Sequence, residues 1–333
     1  MKKLYFLIYL VQISYCSFSQ KANWTQKPFE RKAFIENKGQ FNNTMPSEFQ
    51  NFEYAIDNGT KILFNKNKLV YCFTKSKIAE FAEEERGKSR REKLKESPEN
   101  EREKFKSDYQ YITMNWVNSN PNAYIVVDDK SSVDYGYLVK KENSEKDYQT
   151  THCNGYKKLT IKNLYRGVDA EYFFNEKEGF KYNLILSPNA DLSQIKLEYV
   201  NAKKIVLLNN EIHIKTIVGD LIEHEPISFL ATDNNQLFPT SFLLNHNEAL
   251  FNIPNYSNQK IIIDPWVTVP GLSGAPPVDN GVDQYGNTYV SGPNYILEKY
   301  SPTGTLLFST NVNSPGFAIW GDMLSDSRGK CFF

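Results

Sequence analysis

The sequence predicts an all-β protein, in which an N-terminal antiparallel, sandwich-like domain with a charged helical or disordered insert precedes a repetitive β region. Aromatic residues make up 14% of the chain, with 21 Tyr and 22 Phe, and this composition favours strands. Short β-branched and aromatic runs recur about every 10 residues, broken by Asn, Gly and Asp and without intervening helices. The last segment repeats itself. The 333 residues suggest about two domains, and 39 basic against 39 acidic residues argue against a nucleic-acid or anionic-membrane binder.

The N-terminus has the pattern of a secretory signal. Two lysines precede the apolar run 4–11, and small residues follow it up to an expected cleavage after Ser19. The run is far shorter than the ~20 apolar residues of a spanning helix. A lipoprotein signal using Cys16 is the alternative, although Tyr15 is bulky where a small residue is needed. We therefore expect residues 1–19 to be removed from an exported chain, secreted or on the outer cell surface, without a transmembrane segment.

Residues 20–265 form the predicted β-rich domain. The clearest hairpin joins 205–208 to 211–215 through Asn209 and Asn210, and isoleucines alternate with polar residues in its second strand, so one face should be buried. Further strands are predicted at 61–64, 68–73, 109–117, 123–127, 170–174, 180–186, 221–223, 227–230, 242–244 and 260–263.

One segment of this domain lacks the strand pattern. Residues 80–106 contain 9 acidic and 9 basic side chains, and Gly87 and Pro98 interrupt them. Such a segment cannot bury a core, so it is expected to be a solvated, partly frayed helix or a disordered insert that proteases cut rapidly. Its balanced charge argues against a nucleic-acid-binding arm.

The cysteines leave two readings open. Cys72, Cys153 and Cys331 remain after signal cleavage, and the first two can form a disulfide in an oxidising compartment or stay as buried thiols. The spacing has no paired CxxC, so no structural zinc site is predicted. His152 beside Cys153 could mimic a nucleophilic pair, but neighbours on a strand point to opposite faces.

The most suggestive cluster for a metal is Glu223, His224 and Glu225. On a strand the two glutamates share one face and His224 points to the other, so the three cannot converge on one ion. We predict an ordinary polar edge and no metal or cofactor.

The sequence contains no GxSxG, HExxH, Walker or dinucleotide-binding motif. Glycoside hydrolysis would need two carboxyls at a fixed separation across a pocket, for which Asp128, Asp129 or Asp264 could serve. The first two are predicted to form a turn after a strand. Four dispersed tryptophans offer no sugar platform, so no catalytic residue is predicted.

The C-terminal region contains a repeat of 43 residues. Residues 283–290 correspond to 326–333, with Asp283 matching Asp326 and Gly286 matching Gly329. The stretch between them reads as strand, turn and strand, and a period near 43 is typical of a four-stranded propeller blade. The aspartates are expected to bond the backbone of the turns they open rather than to bind calcium, and the glycines to adopt positive φ. Because residues 266–333 hold one nearly complete unit and part of another, we expect truncated propeller repeats in a fragment of a longer protein.

The segment 283–310 resembles an SBBP-type β-propeller repeat, through D-x-x-G-N-x-Y-V-x-G followed by K-Y-x-P-x-G-x-L-x-F-S-T. The preceding region is similar to an uncharacterised β-rich domain found before such repeats in secreted proteins of gliding bacteria. The segments that carry this similarity are 34–40, 163–169, 180–183, 188–191 and 263–265. The long charged insert is unusual for that domain. The resemblance implies an exported or surface protein, often with a C-terminal sorting domain, and brings no catalytic residues.

Two functions follow as expectations. The first is a non-enzymatic surface or secreted protein whose propeller loops serve adhesion or assembly, with a surface protein or a glycan as partner. The second is a secreted hydrolase acting on polysaccharide, with its site in the missing part of the propeller or in a C-terminal module.

Overall fold

A computed structural model describes residues 32–42, 45–78, 105–140, 148–174, 180–254, 259–270, 279–292, 296–311, 324–326 and 328–332. The predicted signal and residues 80–104 of the charged insert lie outside these ranges. Strands dominate the described residues, and the other short elements are 3-10 turns at Ser47–Phe49 and Leu192–Gln194. The predicted all-β class is confirmed.

Most strands join one large, nearly closed, barrel-like sheet. Its first strands are β1 (Phe34–Glu36), β2 (Tyr54–Asn58), β3 (Thr60–Asn65), β4 (Lys68–Ile78), β5 (Phe105–Trp116) and β6 (Tyr124–Lys130). Then come β9 (Gly155–Tyr165), β10 (Val168–Phe174), β11 (Phe180–Leu186), β12 (Lys196–Val200), β13 (Ile205–Leu208), β14 (Glu211–Lys215) and β15 (Asp220–Glu223). The last are β16 (Ile227–Leu230), β17 (Asp233–Phe238), β18 (Ser241–Asn245), β19 (Glu248–Asn252), β20 (Ile261–Asp264) and β21 (Trp266–Thr268).

Every strand pair in this sheet is antiparallel. One arm runs from β1 through β2, β3, β4, β5, β12 and β19 to β18. The other runs from β1 through β9 and β10 to β11, which pairs with both β20 and β21. From there β20 leads to β16 and β17, and β21 leads to β15, β14 and β13. The arms approach each other at β13 and β18.

A second sheet has the strand order β22-β23-β24-β25-β7-β8. Its members are β7 (Asp134–Lys140), β8 (Tyr148–Cys153), β22 (Asp279–Val282), β23 (Thr288–Gly292), β24 (Ile296–Tyr300) and β25 (Leu306–Asn311). A separate hairpin consists of β26 (Leu324–Ser325) and β27 (Cys331–Phe332). The second sheet therefore combines strands that lie far apart in the chain.

Buried and partly exposed side chains alternate along the strands, and the buried ones fill the barrel interior. In β11, Phe180, Tyr182, Leu184 and Leu186 are buried, and the residues between them are partly exposed. Fully burying such side chains stabilises the fold by roughly 1.5–3 kcal/mol each before conformational entropy is counted. The interior also has ordered polar contacts, since the Trp116 indole N–H donates to the Tyr172 hydroxyl over 3.1 Å.

The structure corrects the prediction for the residues that follow Val127. Strand β6 does not end at Val127 but runs on to Lys130, so Asp128 and Asp129 lie in a strand and not in the predicted turn. Asp129 has φ 56°, a conformation that side chains other than Gly, Asn and Asp rarely adopt. At the other end of the charged insert, Phe105 and Lys106 already belong to β5.

Candidate functional site

The strands β22 to β25 form a four-stranded antiparallel meander, in which a turn built on Asp283 joins β22 to β23. Its carboxylate Oδ1 accepts hydrogen bonds from the backbone N–H groups of Tyr285 and Asn287, both at 2.9 Å. The backbone N–H of Gly286 donates to the Asp283 carbonyl, and Gly286 has φ 78°. The predicted role of the aspartate in bracing the turn is confirmed.

The hairpin β26–β27 repeats this turn 43 residues later. Asp326 Oδ1 accepts from the backbone N–H groups of Arg328 and Lys330 at 2.9 and 2.8 Å, and Gly329 has φ 82°. Gly329 also lies against the first turn, because a Cβ there would be 2.3 Å from the Tyr289 hydroxyl. The two equivalent turns are thus packed together.

Hydrogen bonds concentrate on the Asp283 carboxylate. Burial favours its neutral form, but bonds from Asn287, Tyr285 and Tyr289 outweigh this effect and lower the pKa to about 2. The ammonium group of Lys299 lies 3.6 Å from Oδ2. The turn is therefore held by a charged acceptor with several donors.

Removing this acceptor should open the turn. In Asp283→Ala, we expect the amides of Tyr285 and Asn287 to exchange with deuterium at least tenfold faster, because their acceptor is lost. The matched variant Asp326→Ala should speed exchange in the second turn and leave the first protected. In the wild type, the contribution of Asp283 to stability is present above its ordinary pKa of 3.8 and is lost as the pH falls through about 2. Unchanged exchange in Asp283→Ala would contradict the assignment.

The meander is attached to the barrel-like domain through a parallel strand pair. Strand β25 pairs with β7, so that Phe308 lies opposite Asp134 and Thr310 opposite Gly136. The Thr310 hydroxyl donates to the Gly136 carbonyl over 3.3 Å. A Cβ at Gly136 would be 3.0 Å from the Thr310 hydroxyl oxygen, so the absence of a side chain permits this approach.

The hairpin β7–β8 in turn packs on the outer face of β1 to β4. Tyr135 and Tyr137 are buried there, and the Tyr137 hydroxyl donates to Asp57 over 3.0 Å. The cluster comprises Ala33, Ile35, Phe41, Met45, Phe52, Ala55, Leu63, Val70, Cys72, Tyr135, Tyr137 and Cys153. Because the barrel interior lies on the other side of these strands, runs such as Ile62–Phe64 are apolar at every position.

The segment 34–40 fastens this hairpin to the domain. Glu36 Oε1 accepts from the backbone and side-chain N–H groups of Asn154, at 2.7 and 2.9 Å. Lys38 pairs with Glu36 over 2.6 Å and donates to the His152 carbonyl. Partial burial acts to raise the pKa of Glu36, but the bonds from Lys38 and Asn154 lower it overall. One carboxylate thus connects β1 to the loop between β8 and β9.

Two other segments that carry the resemblance meet at one end of the barrel. The turn after β9 includes Arg166 and Gly167, and the Gly167 carbonyl accepts from the Ser187 N–H over 2.8 Å. A Cβ at Gly167 would be 3.3 Å from that of Ala190, so the two turns touch closely. Beside them is an open cleft of about 380 Å³. We call it the amide cleft; its lining is Asn118, Asn120, Asn163, Tyr165, Arg166, Gly167 and Gln194.

The predicted cluster at Glu223 is divided between the two faces of the sheet. Glu223 is fully buried inside the barrel and accepts from the hydroxyls of Tyr199 and Tyr182, at 2.8 and 3.2 Å. Burial raises the pKa of Glu223 to about 7, although the two tyrosine bonds act in the opposite direction. Sequence reasoning missed this buried carboxyl, and its position two residues after the buried Leu221 was the available signal.

His224 lies on the outer face, as the alternation predicts. Its ring stacks on Trp266 with centroids 4.1 Å apart, and its nitrogens lie 2.6 Å from Glu211 and 2.8 Å from Thr268. Glu225 instead accepts from the Asn210 side chain. Across the described ranges, no group of three His, Cys, Asp or Glu side chains is placed to hold a metal ion.

The two described thiols are buried and not bonded to each other. Burial raises the pKa of both Cys72 and Cys153 to about 12, which keeps them protonated at neutral pH. His152 interacts with Asp134 over 2.7 Å. The side chain of Cys331 lies outside the described part of the chain.

The carboxylates considered for glycoside hydrolysis have separate positions. Asp264 forms an ion pair with Lys181 over 3.0 Å. Asp128 and Asp129 line a second open cleft of about 780 Å³ together with Lys32, Lys157, Lys158, Glu171, Phe173 and Phe174. Within it, Glu171 is paired with Lys158 over 2.8 Å. The pair Asp128 and Asp129 therefore borders a cleft, whereas Asp264 has a structural partner.

No helix of the described residues has the length and apolar character needed to cross a membrane.

Comparison with known proteins assigns the family. No curated protein and no solved structure matches the chain. One family model does, over residues 34–266, and its description is a domain of unknown function, DUF7948. This match runs from β1 through β20, with the β7–β8 hairpin inside it, and covers more than half of the chain, so the chain belongs to the DUF7948 family.

Proposed function

We propose that this protein is an exported, non-enzymatic surface or secreted protein, in which the DUF7948 domain holds SBBP-type propeller blades that present loops for adhesion or assembly. The observation that carries the proposal is the parallel pairing of β25 with β7. Through this pairing, the last strand of the four-stranded meander lies beside the β7–β8 hairpin of the family domain, so that both belong to one sheet. A surface protein or a glycan is the proposed partner, and the gliding-bacterial setting rests on the sequence resemblance.

The second observation is the repeated aspartate turn. Asp283 and Asp326 bond their turns in the same way, and Gly329 packs against the first turn. Strand β22 also lies next to β26, as the first strands of adjacent blades do around a propeller axis. Such rigid units hold their connecting loops in fixed positions, which is how loop surfaces bind without a flexible backbone.

Export and binding can be tested together in the source cells. We expect an epitope tag on the full-length protein to be accessible to added antibody or protease on intact cells, or to be present in the medium. Purified full-length protein should bind the cell envelope saturably, and Asp283→Ala should reduce that binding. A tag found only inside the cell, or binding unchanged in both Asp283→Ala and Asp326→Ala, would refute the proposal.

The alternative is a secreted hydrolase acting on polysaccharide. Among the described residues, the cleft lined by Asp128, Asp129 and Glu171 is the feature that favours it. A glycan panel incubated with the full-length protein decides between the two. Product formation that is lost in Asp128→Asn or Glu171→Gln, and kept in the control Glu225→Gln, would establish hydrolysis. We expect no turnover.

A further inference from the structure

We propose that the amide cleft binds an acidic saccharide, with Arg166 receiving the carboxylate of a uronic acid unit. The site belongs to the barrel-like domain and does not depend on the blades. Its polar side chains come from the turn after β5, from the end of β9 with the turn that follows it, and from the 3-10 turn Leu192–Gln194; they are Asn118, Asn120, Asn163, Arg166 and Gln194.

The first argument is the unused charge of Arg166. Within the ranges described by the structure, no carboxylate pairs with its exposed guanidinium and no hydrogen bond to it is formed. The nearest acid in sequence, Asp169, is occupied by Lys162 at 2.9 Å and by the backbone N–H of Asn163 at 2.8 Å. A free guanidinium offers a planar pair of donors that matches a carboxylate.

The second argument is the chemistry of the amides. The side chains of Asn118 and Asn163 have no hydrogen-bond partner among the described residues. Each amide offers both donors and an acceptor, and a sugar hydroxyl can satisfy both at once. A phosphodiester only accepts, so it could pair with the amide donors but not with the amide oxygens, which would be left to water. A peptide with apolar side chains would need apolar pockets, and the one aromatic residue of this lining, Tyr165, is itself buried.

The third argument is that the cleft is already held in shape. The Asn120 N–H donates to the Leu164 carbonyl over 2.8 Å, and the Gln194 side chain donates to the Arg166 carbonyl over 3.1 Å. Asn118, in the turn after β5, and Asn163, near the end of β9, have φ 54° and 53°, a conformation that Asn adopts more readily than most residues. Such bonds reduce the ordering that a ligand would have to impose. The volume of about 380 Å³ falls within the usual size of small-ligand sites.

The test is a calorimetric titration of the full chain with trimers of galacturonic, glucuronic, mannuronic and guluronic acid. We expect at least one trimer to bind saturably, and its carboxyl-reduced counterpart to bind at least tenfold more weakly. Arg166→Gln should weaken binding about tenfold or more, because a charged pair is lost. Arg328→Gln removes the same charge at a different turn and should leave binding unchanged.

Four other outcomes would overturn the proposal. Equal binding by the carboxyl-reduced trimer, equal binding by Arg166→Gln, or no binding by any trimer would overturn it. Stronger binding of a penta-aspartate peptide would assign the cleft to protein ligands and overturn it as well. Because Arg166 is exposed, Arg166→Gln should unfold at the wild-type temperature, which separates loss of binding from loss of fold.

Discussion

Glutamine in place of Glu223 is expected to remove the loss of stability that ionisation of this carboxyl causes in the wild type as the pH rises from about 4.5 to about 7. Glu223 is fully buried, and it keeps its proton in the folded state up to about pH 7, whereas the unfolded chain releases it near 4.5. Between these values the folded state binds more protons, so the free energy of unfolding of the wild type falls as the pH rises. At about 1.4 kcal/mol per pKa unit, this group accounts for roughly 3 kcal/mol.

The glutamine side chain can replace the protonated acid, because it offers one acceptor and one donor group to Tyr182 and Tyr199. We therefore expect similar stability of the two proteins near pH 4.5, and a melting temperature higher in Glu223→Gln by roughly 6–12 °C at pH 8. Thermal unfolding of both proteins across this range is the measurement. Glu225→Gln, an exposed neighbour, should follow the wild-type profile. A constant difference between Glu223→Gln and wild type at all pH values would contradict the assignment.

Valine at position 136 is expected to separate the blade from the barrel-like domain. A Cβ at Gly136 would already be 3.0 Å from the Thr310 hydroxyl oxygen and 3.8 Å from a methyl carbon of Thr150, and valine adds two more carbons there. Overpacking of this kind costs about 1–3 kcal/mol. We expect the amides of β25 to lose protection in hydrogen exchange, while those of β11 inside the barrel keep theirs. If the amides of β25 keep their protection in Gly136→Val, the blade is not attached to the barrel-like domain through β7.

Local patterns allowed several elements to be predicted. The Asn209 and Asn210 turn has positive φ at both positions and joins β13 to β14, as the dipeptide and the alternating isoleucines indicate. The turns at Asp283 and Asp326 also followed from residue types at fixed spacing. In each case neighbouring residues determine the conformation.

Other features depend on distant parts of the chain. The pairing of Thr310 with Gly136 joins positions 174 residues apart, and nothing local in β7 marks its partner. The amide cleft likewise combines the turn after β5, the end of β9 and the 3-10 turn Leu192–Gln194, which are far apart in the chain. Strand β6 was predicted too short because Asp128 and Asp129 have low strand propensity, which pairing of Asp128 with Lys158 overrides.

The most direct test of the attachment between blade and domain is the coupling energy between positions 136 and 310. The free energy of unfolding is measured by denaturant titration for wild type, Gly136→Val, Thr310→Ala and the double variant. Because the two residues are in contact, we expect the truncation at 310 to relieve part of the strain, with a coupling of about 1 kcal/mol or more. Pairing Gly136→Val with Thr305→Ala, an exposed position before β25, should give additive effects. Additivity at 136 and 310 within about 0.3 kcal/mol would show that β7 and β25 are not neighbours and would contradict the account.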